Sequence, residues 1–233
     1  MISRAAVVPA PPLLVPELVP GLVSFTAEVR AAAVAAAARL PSQWIAVGAA
    51  PEPGTVEPHR RGTFRGFGVD VVVSLSREGD TGTPEDLPLP ALLAGWLREQ
   101  AGAESVRVEL VAEDASSADC VAMGEKLAEV AEEAGLLVLG DGSARHDTAP
   151  PGWSDERAAG FDAAIGTALG GPDPQALLDV DLAVAAELAV RGRAPWQVLA
   201  GFARARANAW RGELLYSRAP RGVAYHVAVW EAA

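Results

Sequence analysis

The sequence predicts a single α/β domain with a central mixed sheet flanked by helices, and three observations carry that prediction. Short apolar runs, Ala5 to Val8, Trp44 to Gly48, Val69 to Leu75, Val106 to Val111 and Leu136 to Gly140, alternate with longer segments of helical composition. One of them, Leu136-Leu137-Val138-Leu139-Gly140, is apolar throughout, as a central strand covered on both faces requires. Near the C-terminus, Glu213 to Ser217 and Val223 to Trp230 flank Ala219-Pro220-Arg221-Gly222, a turn composition that predicts a hairpin.

In chain order, Ala5 to Val8 reads as a first buried strand. Pro9, Pro11 and Pro12 stop it, because proline donates no ladder hydrogen bond and restricts φ. Phe25 to Arg39 is alanine-rich and reads as a helix, with Pro41 beyond its end. Residues 51–68, rich in Pro, Gly and Arg, read as a long irregular excursion before a third strand at Val69 to Leu75. Gly79 to Pro84 reads as a surface loop and Leu89 to Ala101 as a helix with Trp96 on its apolar side. Val106 to Val111 alternates apolar and polar residues, as a strand with one solvated face does.

Ser116 or Ser117 is placed to cap a helix over Ala118 to Ala134, which Gly135 ends. Ser154 is the expected cap of Asp155 to Leu169. Asp173-Pro174 pairs a capping residue with proline at the first helical position. Asp181 to Arg191 and Pro195 to Ala207 complete the helices. No repeat or linker divides residues 1–233, so one domain is expected.

Composition narrows the partners. The net charge is −11, opposite to what nucleic acid or an anionic membrane demands. The nearest basic cluster, Arg204, Arg206 and Arg211, reads as a solvated helix face. A lone cysteine, Cys120, excludes an internal disulfide and a thiolate metal cage; its apolar helical setting reads as core. No run reaches the ~20 apolar residues of a membrane span, and no leader pattern opens the chain. A soluble, cytoplasmic protein is expected.

Three histidines, His59, His146 and His226, limit any metal site. Two of them with a carboxylate would make a facial triad for non-haem Fe(II), but only His146 follows the end of a central strand. Ser143 lies just past that strand, outside a Gly-x-Ser-x-Gly elbow, and Asp141, Ser143 and His146 crowd one short segment. No phosphate-binding loop is present. Gly62, Gly66 and Gly68 with Arg60, Arg61 and Arg65 read as a surface loop with some capacity for an anion. Core packing is the expected role of most of the tryptophans.

The order of segments resembles the LigB type of catalytic subunit found in class III extradiol ring-cleavage dioxygenases. The resemblance rests on Val8-Pro9-Ala10-Pro11-Pro12-Leu13-Leu14-Val15-Pro16-Glu17 and on Leu139-Gly140-Asp141-Gly142-Ser143 with Ala149-Pro150 and Phe161-Asp162-Ala163-Ala164. Gly192 to Trp196 and Gly222-Val223-Ala224-Tyr225 complete it. It implies an α/β fold with a site at the strand ends, where family enzymes hold Fe(II) on two histidines and a glutamate and cleave catechols with O₂.

Carried over by position, the first ligand histidine corresponds to Ala10 and the second to Ala49-Ala50. The acid–base histidine corresponds to Ala144, and the glutamate falls near Val190, or on Glu187 after a three-residue slip. An alanine methyl has no lone pair to give a metal. The favoured expectation is therefore a relative with no metal and no cofactor, whose vestigial pocket comprises Ala10, Pro11, Ala49, Ala50, Ala144 and Arg145. It would bind a small molecule or a protein partner, with homo-oligomerisation open. Two alternatives stand beside it. One is an enzyme with a rebuilt site drawn from Ser143, His146, Asp141, Glu187 and Arg145; the other is an active Fe(II) dioxygenase.

Overall fold

Four parallel strands form the centre of the sheet: β1 (Arg4–Val8), β2 (Gln43–Ala50), β6 (Ser105–Ala112) and β7 (Gly135–Leu139). The computed structural model describes residues 1–78, 82–130, 132–150, 152–206 and 209–233, with side chains of 22–25 outside the description. Antiparallel strands flank the centre: β3 (Gly54–Val56) on β6, and β9 (Tyr225–Ala232) followed by β8 (Trp210–Arg218) on β1. The order among the described residues is β3-β6-β2-β7-β1-β9-β8, a seven-stranded mixed sheet. The α/β class expected from the sequence is what the chain adopts.

The two-residue side-chain period of the strands divides the core into two faces. Ala6 and Val8, Trp44 and Ala46, Val106 and Val108, and Leu137 and Leu139 face one way. They pack against α1 (Val23–Ala37) and α2 (Leu89–Ala101). Ala5 and Val7, Ile45 and Val47, Leu136 and Val138, and Trp230 face the other, toward α3 (Ser117–Ala128), α4 (Arg157–Gly170), α5 (Pro174–Leu178) and α7 (Arg193–Ala205). β7 is buried along its whole length because it has strands on both edges and helices on both faces.

Crossover handedness explains this division. The chain moves outward from β1 to β2 to β6 through α1 and α2, then turns back through α3 to place β7 between β2 and β1. A right-handed crossover in the reverse direction must use the opposite face. The loops after β2 and β7 consequently part to opposite sides, and a crevice opens at the carboxyl ends of these strands.

Several expected elements differ. The Val69 to Leu75 run contributes only β5 (Val72–Ser74), which pairs with β4 (Arg61–Thr63) in a separate two-stranded ribbon and not in the main sheet. The irregular stretch 51–68 therefore contains two short strands, β3 and β4, which its Pro and Gly content conceals. α3 stops at Ala128; Glu129, Glu132 and Glu133 follow, acids that oppose the negative end of a helix dipole. α4 starts at Arg157, and Asp155 rather than Ser154 satisfies its first turn, its Oδ1 accepting from the Arg157 amide at 2.9 Å. The expected Asp181 to Arg191 helix shortens to α6 (Leu182–Glu187), ending where Ala189 takes φ +53°. Residues 79–81 of the expected Gly79 to Pro84 loop lie outside the described residues. Among those described, no helix is long and apolar enough to cross a membrane.

Candidate functional site

A cavity of about 170 Å³ occupies the crevice. Ala10, just beyond β1, and Ala49 and Ala50, at the end of β2, form one wall. Pro88, Leu89 and Pro90 at the start of α2 form another. The polar groups come from three separate chain segments: Glu113 after β6, Asp141 after β7 and Arg191 before α7. The end of β7 and the start of α7 meet closely, because the Asp141 carbonyl accepts from the amides of Arg191 (3.1 Å) and Gly192 (2.8 Å). A Cβ on Gly140 would overlap the Gly192 backbone and one on Gly192 would overlap the Trp196 ring, so glycine at both positions lets the Asp141 and Arg191 segments approach.

Glu113 and Arg191 pair at 2.6 Å. The buried Arg193 holds the Glu113 segment by donating to its carbonyl at 2.8 Å, while its other arm binds Gln197 Oε1 at 3.0 Å. With Arg191 occupied by Glu113, Asp141 is the acidic group without an ion-pair partner. Its Oδ1 accepts from the Ala10 amide at 2.8 Å. Desolvation raises its pKa from 3.8 to about 7, against smaller opposing effects of the Ala10 hydrogen bond and the Arg191 charge.

That shift links Asp141 to stability. The folded state keeps the proton to about pH 7, whereas the unfolded chain releases it near 3.8. Between those values the folded state binds more proton, so this contribution is complete below the unfolded value and is lost as pH rises through the folded one. The loss amounts to about 4 kcal/mol at most, reduced by any water entering the cavity. Asp141→Asn should remove it. In urea titrations at acid and neutral pH, the variant should gain on the wild type as pH rises from about 4 to 7. Parallel stability profiles for the two proteins would exclude a strongly desolvated carboxyl.

Outside the cavity lining is a second polar cluster, centred on Asp162 of α4, which is only 5% exposed. Its Oδ2 meets His146 Nε2 at 2.7 Å and its Oδ1 meets His226 Nε2 at 3.0 Å. Both oxygens also accept from the Ser143 amide at 3.2 Å. Ser217 Oγ stands 3.0 Å from His226 Nδ1. A neutral His226 donating from Nε2 accepts the Ser217 hydroxyl proton at Nδ1. These contacts join the post-β7 loop, α4 and the β8–β9 hairpin, giving a buried carboxylate the partners it requires.

The crystal structure of an uncharacterized protein, JW3007 from Escherichia coli K12, matches this fold with a TM-score of 0.54 and 12% sequence identity. The match spans 99% of this chain and 100% of that one. At this identity the likeness concerns the fold alone. No family model matches the chain. No curated protein matches it either.

Of the residues singled out in the sequence, Ala10, Ala49, Ala50 and Asp141 line the cavity together. Pro11, Ala144 and Arg145 lie outside its lining. Pro11 is buried at the start of a 3₁₀ turn, and the Ala144 amide donates to the Leu188 carbonyl. Arg145 stacks on exposed Trp153, with its guanidinium carbon 4.9 Å from the ring centroid. Glu187 is an exposed partner of Arg157 at 2.8 Å. Ser143 is fully buried, its hydroxyl donating to the Leu188 carbonyl at 3.0 Å. His146 belongs to the Asp162 cluster, and His59 lies exposed in a turn.

Glu113, Arg191 and the hub role of Asp162 escape the sequence reading. A signal for Asp162 is present: it shares a helical face with Ala158, Ile165 and Leu169, which are all buried. A carboxylate on such a face needs a partner. No tryptophan lines the cavity; Trp44, Trp96, Trp196 and Trp230 are core. Among the described residues, no group of three or more His, Cys, Asp or Glu side chains could hold a metal ion.

Proposed function

We propose that the chain is a metal-free relative of the LigB-type class III extradiol dioxygenases that binds a small molecule at the strand-end cavity and does not cleave catechol rings. One observation carries the reading: Ala10, Ala49 and Ala50, at positions where the resemblance expects imidazole ligands, line a single cavity with Asp141. Fe(II) does not fit this donor set. The cavity offers the carboxylates of Asp141 and Glu113 but no histidine, and the Nε2 atoms of His146 and His226 are engaged by Asp162. No step through iron is therefore derived. A cytoplasmic location belongs to the same reading, supported by one buried cysteine.

Purified protein should carry no stoichiometric iron, and its melting temperature should be unmoved by Fe(II) under anaerobic conditions. Oxygen uptake with a panel of catechols should equal the protein-free rate. A several-degree rise on adding Fe(II), or catechol-dependent uptake, would overturn the reading.

The acidity of Asp141 favours a second reading, an enzyme with a metal-independent site. A carboxyl poised near pH 7 suits a general acid or base. Any turnover found should then vanish in Asp141→Asn and survive Glu187→Gln, whose side chain lies outside the cavity lining.

A further inference from the structure

We infer that the cavity takes a small monocyclic amine as its ammonium ion, the ring against the Ala49–Ala50 and Pro88–Pro90 walls and the nitrogen on Asp141. The inference rests on reading the cavity as a small-molecule site and names the chemistry of its ligand. Size sets the first limit. An apolar cavity of about 150 Å³ holds benzene, so 170 Å³ suits one six-membered ring with one or two further atoms.

Charge sets the second limit. The charged and titratable groups near Asp141 are Arg191 before α7, Glu113 after β6 and Tyr225 on β9. Arg191 is paired with Glu113 at 2.6 Å, and burial raises the Tyr225 phenol further from ionising. α2 contributes only Pro88, Leu89 and Pro90 to the cavity, and the segment after β1 contributes Ala10. The Oδ1 of Asp141 is engaged by the Ala10 amide, while Oδ2 has no hydrogen-bond partner among the described residues.

An anionic ligand would meet two carboxylates, Glu113 and Asp141, and would share the single cation Arg191 with Glu113. A neutral apolar ligand would cover the accessible Oδ2, displace water from it and leave it without a partner. An ammonium supplies a charge-assisted hydrogen bond to that oxygen and offsets the desolvation of the carboxylate. Binding then requires ionised Asp141 and displaces its proton. Amine affinity should fall about tenfold for each pH unit below about 7 and level off above it.

Calorimetric titration of the full chain with benzylamine, benzyl alcohol and benzoate at pH 5, 7 and 8.5 tests this. Benzylamine should bind at least tenfold more tightly than the other two at pH 8.5, with proton release at pH 7 visible as a buffer-dependent heat that is absent at pH 8.5. Asp141→Asn should remove the preference for the amine, and Glu113→Gln should retain it. The wild-type comparison of probes and pH values stands without either variant. If benzyl alcohol or benzoate binds as tightly as benzylamine, or amine affinity is flat from pH 5 to 8.5, the amine inference fails while the cavity remains a binding site. If none of the three probes binds, both the inference and the small-molecule reading fail. Iron uptake would overturn the metal-free reading separately.

Discussion

Asp162→Ala will lower the unfolding free energy by about 3–5 kcal/mol, the combined cost of leaving several buried polar groups without their shared partner. The substitution strands the Ser143 amide and the Nε2 atoms of His146 and His226, in a region where His226 is 1% exposed and Ser143 fully buried. Each stranded group costs about 1–3 kcal/mol when water cannot replace the partner. Asp162→Asn should cost less, because an amide oxygen still accepts from Ser143 while its NH₂ meets an imidazole nitrogen. Urea denaturation at neutral pH measures both. A loss below about 1 kcal/mol for the alanine variant would show that water readily replaces the carboxylate. A double-mutant cycle with His226→Ala should show non-additivity, since both substitutions remove the same hydrogen bond.

Gly124→Ala will be the other severe lesion, despite replacing a poor helix former with the best one. Gly124 of α3 faces Gly201 of α7, and a Cβ there would overlap the Val198 carbonyl oxygen and the Phe202 nitrogen. These are backbone atoms of a helix, which cannot swing aside as a side chain can. Separating α3 from α7 also loosens the packing around fully buried Cys120, Val198 and Phe202. The net loss should be about 1–3 kcal/mol or more, after the helical gain of about 1 kcal/mol is subtracted. Gly160→Ala in α4 provides the control: the site is exposed and nothing lies within 4 Å of the new Cβ. It should stabilise the protein by about 0.5–1 kcal/mol. Similar melting shifts for the two variants would refute the close helix approach.

Local patterning made much of the sheet legible. Ala5 to Val8 and Leu136 to Leu139 were recognisable because strands buried on both faces need uninterrupted apolar side chains. The C-terminal hairpin was recognisable from its turn residues between two apolar runs. The Val69 to Leu75 run misled because an apolar run does not state its partner: Val72–Ser74 pairs with the ribbon strand Arg61–Thr63. The expected Asp181 to Arg191 helix overran because composition does not register the left-handed turn at Ala189.

The candidate site was legible only in part. Ala10, Ala49, Ala50 and Asp141 follow strand ends, where an α/β chain places its crevice, and they share one cavity. Ala144 and Arg145 lie a few residues further on, outside the lining, because the loop turns back to pair with Ala224 and Leu188. Glu113 and Arg191 are 78 positions apart, and nothing local marks either as the other's partner.

The sequence alone determined the α/β class, most strands and helices, and the inert residue after β1, since each depends on neighbours within a few positions. Tertiary structure decided the insertion of β7 between β2 and β1, which brings Ala10, Ala50 and Asp141 to one crevice. It also decided the convergence of His146, Asp162 and His226. Burial and long-range hydrogen bonding arise only once distant segments pack. Asp141 is an ordinary carboxylate in the unfolded chain, and its enclosure raises its pKa to about 7.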